Sequence, residues 1–462
     1  MHKRIRIQPI SFSVLLKCEI IRFPNQHIRA RVEGYITDAE EVLYQNWENT
    51  EISVFESDEN GKERRLFCGM ADSITVEESG DLKKLTFEAV SYTAQLDLKK
   101  QIRIFQNKKQ TYEELVSFLA EANPRALFRF TESSSRLTDG MMMQYQETDW
   151  EFLLRLAAGL NTVVVPDCTN DRPCFYFGLP DRSDAVHLSS CRFRLRKNME
   201  EFQVKKRSGL SSLGSLDTTD YIISSDQFLE LCVPVEFQGK LLRVAKAVSR
   251  WENGELLHEY HLRSVNGFKT IPYNNPLICG LSMKGKVKRV KEDKIKVKIE
   301  GTAQGMDDDP QWFAFATVYA SGTSVGWYCM PEPGDPVRIC FPDACEAHAF
   351  AVSAVHLENQ RGWKLSPEEK FIRTVDDKEI RMAPDRIEIT NHKGMSIVIN
   401  DNSGIEIKSD KNIQISSSDG ISLNSGENIS MKGKAGIFLK QNRNILAVCD
   451  GILEKAVKVE HR

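Results

Sequence analysis

Gly404-Ile-Glu-Ile407, Asn412-Ile-Gln-Ile415, Gly420-Ile-Ser-Leu423, Asn428-Ile-Ser-Met431, Gly436-Ile-Phe-Leu439 and Asn444-Ile-Leu-Ala447 recur with a period of eight. Ile405, Ile413, Ile421, Ile429, Ile437 and Ile445 hold one phase, and an apolar residue follows two positions on. A spacing of two places both on one face of a short strand. The residue before each isoleucine (Gly404, Asn412, Gly420, Asn428, Gly436, Asn444) is of a type that tolerates a positive-φ corner between rungs. A fixed period of this kind implies stacked rungs of β-solenoid or β-helix type, in which no single repeat buries its own face.

The expected needle core is Ile397, Ile399, Ile405, Ile407, Ile413, Ile415, Ile421, Leu423, Ile429, Met431, Ile437, Leu439 and Ile445. Two apolar residues per octad bury too little surface to offset the ordering of eight residues of chain. An intertwined homotrimer is therefore expected, its rungs stacked at about 4.8 Å. A calcium-binding solenoid needs Asp at a recurring phase, whereas Ser403, Lys411, Asp419, Glu427, Ala435 and Arg443 precede the corners. Disorder does not keep isoleucine in phase through six rungs.

The chain has 462 residues, enough for two to four domains. A net charge of −3 gives no bulk argument for nucleic acid or anionic membrane as a partner. The basic start, Met1-His-Lys-Arg-Ile-Arg-Ile-Gln-Pro9, is followed by no apolar segment of signal-peptide type, so cytoplasmic synthesis is expected. Eleven scattered cysteines with no CxxC pair read as buried thiols in a reducing compartment.

Mainly β structure with helical insertions is expected, in five segments. Residues 1–275 read as short alternating strands such as Ile28–Val32, Leu85–Val90 and Leu241–Val248. Two helices interrupt them, one at 111–122 with a Thr111/Glu114 capping box and one at 149–158 with Asp149 as N-cap. Residues 276–358 contain five strands in the manner of a small OB-type barrel. Residues 359–384 are charged and irregular, a linker; 385–449 form the needle and 450–462 a terminal tail or tip.

Three stretches together resemble the spike proteins of contractile injection machines, the family of type VI secretion VgrG, phage late control D proteins and myophage hub-spike proteins. Gln144-Tyr-Gln-Glu-Thr-Asp-Trp-Glu-Phe-Leu-Leu-Arg-Leu156 is similar to the family's hub motif, carried by Gln144, Tyr145, Glu147, Asp149, Trp150, Phe152, Arg155 and Leu156. Gly326-Trp-Tyr-Cys-Met-Pro-Glu-Pro-Gly-Asp-Pro-Val337 is similar to its OB motif, carried by Gly326, Trp327, Pro331, Glu332, Gly334, Asp335 and Val337. The octads resemble its C-terminal needle. The 359–384 segment is too short for the lysozyme-like domain of some phage relatives, and no extended effector is expected after Ala447.

The resemblance implies a β-barrel hub, an OB collar and a trimeric β-helical needle, acting mechanically without catalytic residues, cofactor or metal. Its implied partners are a tail-tube ring, baseplate proteins, and a PAAR-like tip with cargo. Stable binding of nucleic acid or membrane is not expected, and delivery outside the cell on firing is. A trimeric tail-fibre-like carbohydrate-binding adhesin and an OB-fold nucleic-acid-binding protein are the alternatives.

His258-Glu-Tyr-His261 lacks the four-residue histidine spacing of a zinc-protease helix and suits a strand. Asp307-Asp-Asp309 reads as a solvated loop, and a lone His461 does not make a tip metal site. The lysine-rich strands between 284 and 298 read as a solvated face, because no aromatic residues interleave with them in sequence. Trp150, Phe152 and Leu156 read as hub core, with Asp149 and Arg155 as either a local pair or an inter-subunit contact.

Overall fold

The computed structural model describes residues 4–459 apart from 41–46, 49, 59–60, 139, 183, 189–191, 304–308, 323–324 and 354–365. Asp307, Asp308, His461 and the first part of the expected linker lie outside the described residues. The chain divides into two compact units, Met1–His356 and Leu357–Arg462.

In the first unit, β1 (Arg4–Gln8), β2 (Val14–Arg22), β3 (Arg29–Ile36), β4 (Glu51–Ser57), β5 (Glu63–Ser79) and β6 (Leu82–Ser91) enclose a core that includes Ile20, Ile28, Ile52, Phe67 and Phe87. Next come β7 (Gln101–Phe105), helix α1 (Tyr112–Ala122), β8 (Leu127–Phe130), β9 (Met142–Glu147), helix α2 (Asp149–Gly159), β10 (Val164–Asp167) and β11 (Cys174–Phe177). A second set follows: β12 (Val186–His187), β13 (Phe193–Lys197), helix α3 (Met199–Arg207), β14 (Thr219–Ser225), β15 (Pro234–Phe237), β16 (Lys240–Glu252) and β17 (Glu255–Arg263). Its core includes Ile223, Val235, Phe237, Tyr260 and Leu262. Pairing of β2 with β16 joins both sets into one sheet of 12 strands.

The capping box at Thr111 and Glu114 is formed. On α2 the N-cap is Thr148, which accepts from the Glu151 N–H, and not Asp149, which is the first helical residue. The hydroxyl is the better placed acceptor because Asp149 is drawn inward by Arg103. A third helix, α3, was not expected: none of its residues is buried, so it leaves no apolar stripe in the sequence. His258 and His261 lie on strand β17, as their spacing requires. Cys18, Cys68, Cys168, Cys174 and Cys232 are buried, and burial pushes the thiols of Cys18, Cys168 and Cys232 up to about 12. Cys279, Cys329 and Cys449 are exposed, a correction to the expectation of buried thiols throughout; each belongs to an irregular segment without a packed face.

The collar is built from β18 (Ser282–Lys291), β19 (Lys294–Ile299), β20 (Trp312–Ala314), β21 (Pro336–Cys340) and β22 (Phe350–Ser353), in the order β20-β19-β18-β21-β22. A parallel bridge between Phe315 and Ala351 links its two ends, around a core with Val287, Ile295, Val297, Phe313, Val337 and Ile339. This is the expected five-stranded OB barrel.

The second unit opens with an antiparallel meander: β23 (Lys370–Arg373), β24 (Glu379–Ala383), β25 (Arg386–Thr390), β26 (Ser396–Asn400) and β27 (Gly404–Lys408). Strands β23 and β24 occupy part of the expected linker, which is a correction. The charges that disguised them line one face and neutralise each other there: Glu379, 3% exposed, meets Arg381 Nε at 2.5 Å, His392 Nε2 at 3.0 Å and Arg373 Nη1 at 3.5 Å. A second small sheet, β28 (Ile437–Gln441), β29 (Asn444–Val448) and β30 (Ile452–Lys455), closes the unit.

Burial pushes the Glu379 carboxyl up, but Arg381 and His392 outweigh it and hold it below the ordinary value of 4.5. A carboxylate depressed in the folded state stabilises above its unfolded pKa and loses that contribution as pH falls through the folded value. Protection factors of the amides in 379–389 should therefore drop as pH falls below 4.5, and Glu379→Gln should flatten that drop. An identical pH dependence in both proteins would remove Glu379 from the account.

Candidate functional site

Three places carry the residues singled out in the sequence. The first is the α2 region of the hub. Trp150, Phe152 and Leu156 are core residues, Phe152 stacking on Phe105 with ring centroids 5.7 Å apart. Asp149 and Arg155 do not pair with each other, which settles that question against a local pair. The Asp149 carboxylate accepts from Arg103, from Gln144 Nε2 at 2.9 Å and from Asn123 Nδ2 at 2.6 Å. Asp149 and Arg155 stand six positions apart on the helix, a spacing that does not share a face, and the two charges find separate partners.

Arg155, 3% exposed, donates Nε and Nη2 to the two Glu147 oxygens at 2.8 Å each, Nη1 to Glu346 at 3.0 Å and Nη2 to the Met143 carbonyl at 2.6 Å. Burial works to lower its affinity for the proton; Glu147 and Glu346 reverse this and raise its pKa above the ordinary value. Glu346 precedes β22 of the collar, so this guanidinium ties the hub helix to the OB barrel. Tyr145 holds the segment that leads into the collar, its carbonyl accepting from Asn275 Nδ2 at 2.7 Å.

A further connection was missed in the sequence. The fully buried Gln106 donates Nε2 to the Val297 carbonyl at 2.8 Å and accepts the Ile299 N–H at 2.9 Å, and Thr302 Oγ1 at 2.7 Å. A primary amide in this pose presents a donor and an acceptor as a strand's peptide groups do, and so it completes the edge of β19 beyond its pairing with β20. A lone glutamine carries no pattern that signals this.

The second place is the OB motif. Gly334 takes φ +102°, Asp335 accepts the Glu332 N–H through its carboxylate at 2.8 Å, and Val287 N–H bonds the Asp335 carbonyl at 2.9 Å. This turn leads from Pro331 into β21, where Val337 enters the barrel core. Gly326 and Trp327 lie apart, in an exposed segment. Asp309 pairs with Lys296 rather than standing free in solvent.

The third is the isoleucine face. The register of the meander aligns Ile372, Ile380, Ile389, Ile397 and Ile407 in one cross-strand row, and Met382, Ile387, Ile399 and Ile405 in a second. All nine point to the same side and remain between 41% and 71% exposed. Part of this face forms a trough of ≈ 460 Å³. From 409 to 436 no strand is formed among the described residues, although bends recur at 410–411, 418–419, 426–427 and 434–435. Ile413, Ile415, Ile421, Leu423, Ile429 and Met431 there are all more than half exposed.

The corners differ from expectation in their chemistry. Gly404 and Gly436 take positive φ (90° and 134°), whereas Asn412, Gly420, Asn428 and Asn444 do not. The recurring corner group is instead serine: Ser409, Ser417 and Ser425 accept through Oγ from the backbone N–H two residues on, at 3.1, 3.3 and 3.3 Å. The same octad carried this signal three positions before the Gly/Asn alternation. Among the described residues no cluster of metal-ligating side chains occurs, and no helix is long and apolar enough to cross a membrane.

Replacing Arg155 by Met should leave Glu147 and Glu346 buried and facing each other, a loss of about 3–5 kcal/mol by analogy with broken buried ion pairs. Urea denaturation of the full chain checks this, and adding Glu147→Gln and Glu346→Gln should recover part of the loss. A single-variant cost under about 1 kcal/mol would mean that the pair is solvated.

Comparison with known proteins bears on each region. The phage tail baseplate hub (GPD) family matches residues 36–159, and the type VI secretion system/phage-baseplate injector OB domain matches residues 283–356. No curated protein matches the chain. An E. coli component of the type VI secretion system, described as structurally similar to bacteriophage T4 tail proteins gp27 and gp5, shares the fold with TM-score 0.52 at 13% identity, over 75% of this chain and 99% of that one. A chain of the Francisella PdpA–VgrG complex does so with TM-score 0.55 at 10% identity, over 88% of this chain and 80% of that one. The chain thus carries a phage-tail baseplate-hub domain followed by an injector OB domain, the domain order of a VgrG-like spike.

Proposed function

We propose that three copies of this chain associate through the isoleucine face and the octads to form the needle of the spike. The hub caps the tail tube, and sheath contraction drives the needle through the target envelope. The observation that carries this reading is the contrast between two properties of one segment. Residues 409–436 keep an eight-residue cycle of bends, and yet among the described residues their extended stretches find no strand partner and their isoleucines stay more than half exposed. Exposed apolar rows beside unpaired strand backbone are what a second and third copy would satisfy together.

The role is mechanical. In a rod closed by inter-chain ladders every strand edge is paired, which suits axial load. A PAAR-like cap at the blunt end, cargo, and contacts with the tube ring and baseplate proteins complete the proposed assembly. The spike would be made in the cytoplasm and carried outside on firing.

Light scattering of the purified chain should give three times its mass of 52.6 kDa. Ile421→Asp, which places a charge in the shared core, should abolish the detergent resistance of that trimer while the hub keeps its near-UV circular dichroism. A wild-type monomer, or a variant as resistant as the wild type, would overturn the reading.

A further inference from the structure

The collar carries charge that its fold does not need. On β18 and β19, Lys284, Lys286, Lys288, Arg289, Lys291 and Lys294 are all exposed, and none forms an ion pair among the described residues. The register sets Lys291 directly opposite Lys294 and Lys286 opposite Lys298. Like charges facing each other across strands are destabilising. A merely solvated face would be better served by alternating signs, as on β24 and β25, where arginines and glutamates interleave.

Beside this ladder lies an apolar surface that the barrel also does not use. Residues 317–322 and 325–328 pair with each other through Trp327 N–H to the Tyr319 carbonyl at 2.8 Å and Ser321 N–H to the Val325 carbonyl at 2.9 Å. Val318 is 87% exposed and Tyr328 73%, and Tyr319, Val325 and Trp327 are each about half exposed or more. The Tyr328 hydroxyl donates to the Glu292 carbonyl at 3.1 Å, which fixes this segment against the turn joining β18 to β19. The aromatic segment is therefore anchored at the end of the basic ladder where Lys291 faces Lys294.

We propose that this patch binds an anionic lipid surface, with Trp327, Tyr328 and Tyr319 at the headgroup level and the lysines over the phosphates. Tyr and Trp are the side chains that prefer a membrane–water interface, and each nearby lysine adds about 1 kcal/mol of attraction to an anionic leaflet. Single-stranded nucleic acid is the less favoured partner. Bases stack on rings set along the basic groove, whereas Trp312 is half-buried and the exposed rings stand at the turn end together with two valines, which stack on nothing. This departs from the sequence-based expectation of no membrane binding. It does not require the needle to be trimeric.

The test uses the full chain with vesicles of phosphatidylglycerol or phosphatidylcholine, in co-sedimentation and with brominated acyl chains as tryptophan quenchers. Binding to the anionic vesicles with quenching is expected, together with loss on phosphatidylcholine. The triple change Lys286→Glu, Lys288→Glu, Lys291→Glu should weaken it by at least about a hundredfold, and Trp327→Ser should abolish the quenching. Light scattering of the same samples reports the oligomer separately. Absence of binding would overturn the proposal. So would binding that a single-stranded oligonucleotide displaces and that shows no quenching, or a change of oligomeric state in Trp327→Ser, which would place the patch between copies of the chain.

Discussion

A β-strand sends alternate side chains to opposite faces, and in residues 370–408 this rule separates the paired charges from the isoleucines. Arg373, Glu379, Arg381, Arg386 and Glu388 take one face and neutralise each other; the isoleucines take the other and stay largely open beyond their own rows. One face is finished within the chain and one is not. The division into a self-sufficient first unit and a second unit of open sheets follows from this, because the first unit closes its strands around four apolar cores while Ala447 is the one buried apolar side chain among the described residues of the second. The proposed three-chain needle is the simplest completion of that surface.

The first unit meets a different requirement, that of making hub and collar act as one piece. It does so with polar groups placed where apolar packing alone would allow sliding. Arg155 holds one carboxylate from each side, and Gln106 extends the hydrogen bonding of β19 with a side-chain amide from the hub. Both are fully enclosed, so each resists displacement by the cost of leaving buried donors and acceptors unmatched. Ile104, Met141 and Met143 of the hub complete the collar core from the same side.

What was legible in the sequence was whatever had a period or a cap. The octads, the alternating strands, the Thr111 capping box and the five collar strands announced themselves through spacings of eight, two and three. What stayed hidden had no local pattern. Helix α3 presents no apolar stripe; β23 and β24 hide their apolar residues among charges that only pairing makes sense of; Gln106 and Glu346 gain their roles from partners some 190 positions away in sequence. At the corners, Gly404 and Gly436 take the expected positive φ and the other four do not, for a more instructive reason. Glycine and asparagine permit a corner, but the serine hydroxyls at 409, 417 and 425 supply a hydrogen bond that shapes one. In the collar, the linear sequence separates the lysines from Trp327 and Tyr328, and only the fold brings them side by side.

The serine-marked bends also restrict how such a rod can change in length. Insertion or loss of one whole octad leaves every isoleucine facing the side it faced before, whereas an odd number of residues turns the downstream apolar set outward. One whole octad is thus the step of length that keeps the bends and the apolar face in register together, and duplicating or deleting such a unit needs no redesign of the interior.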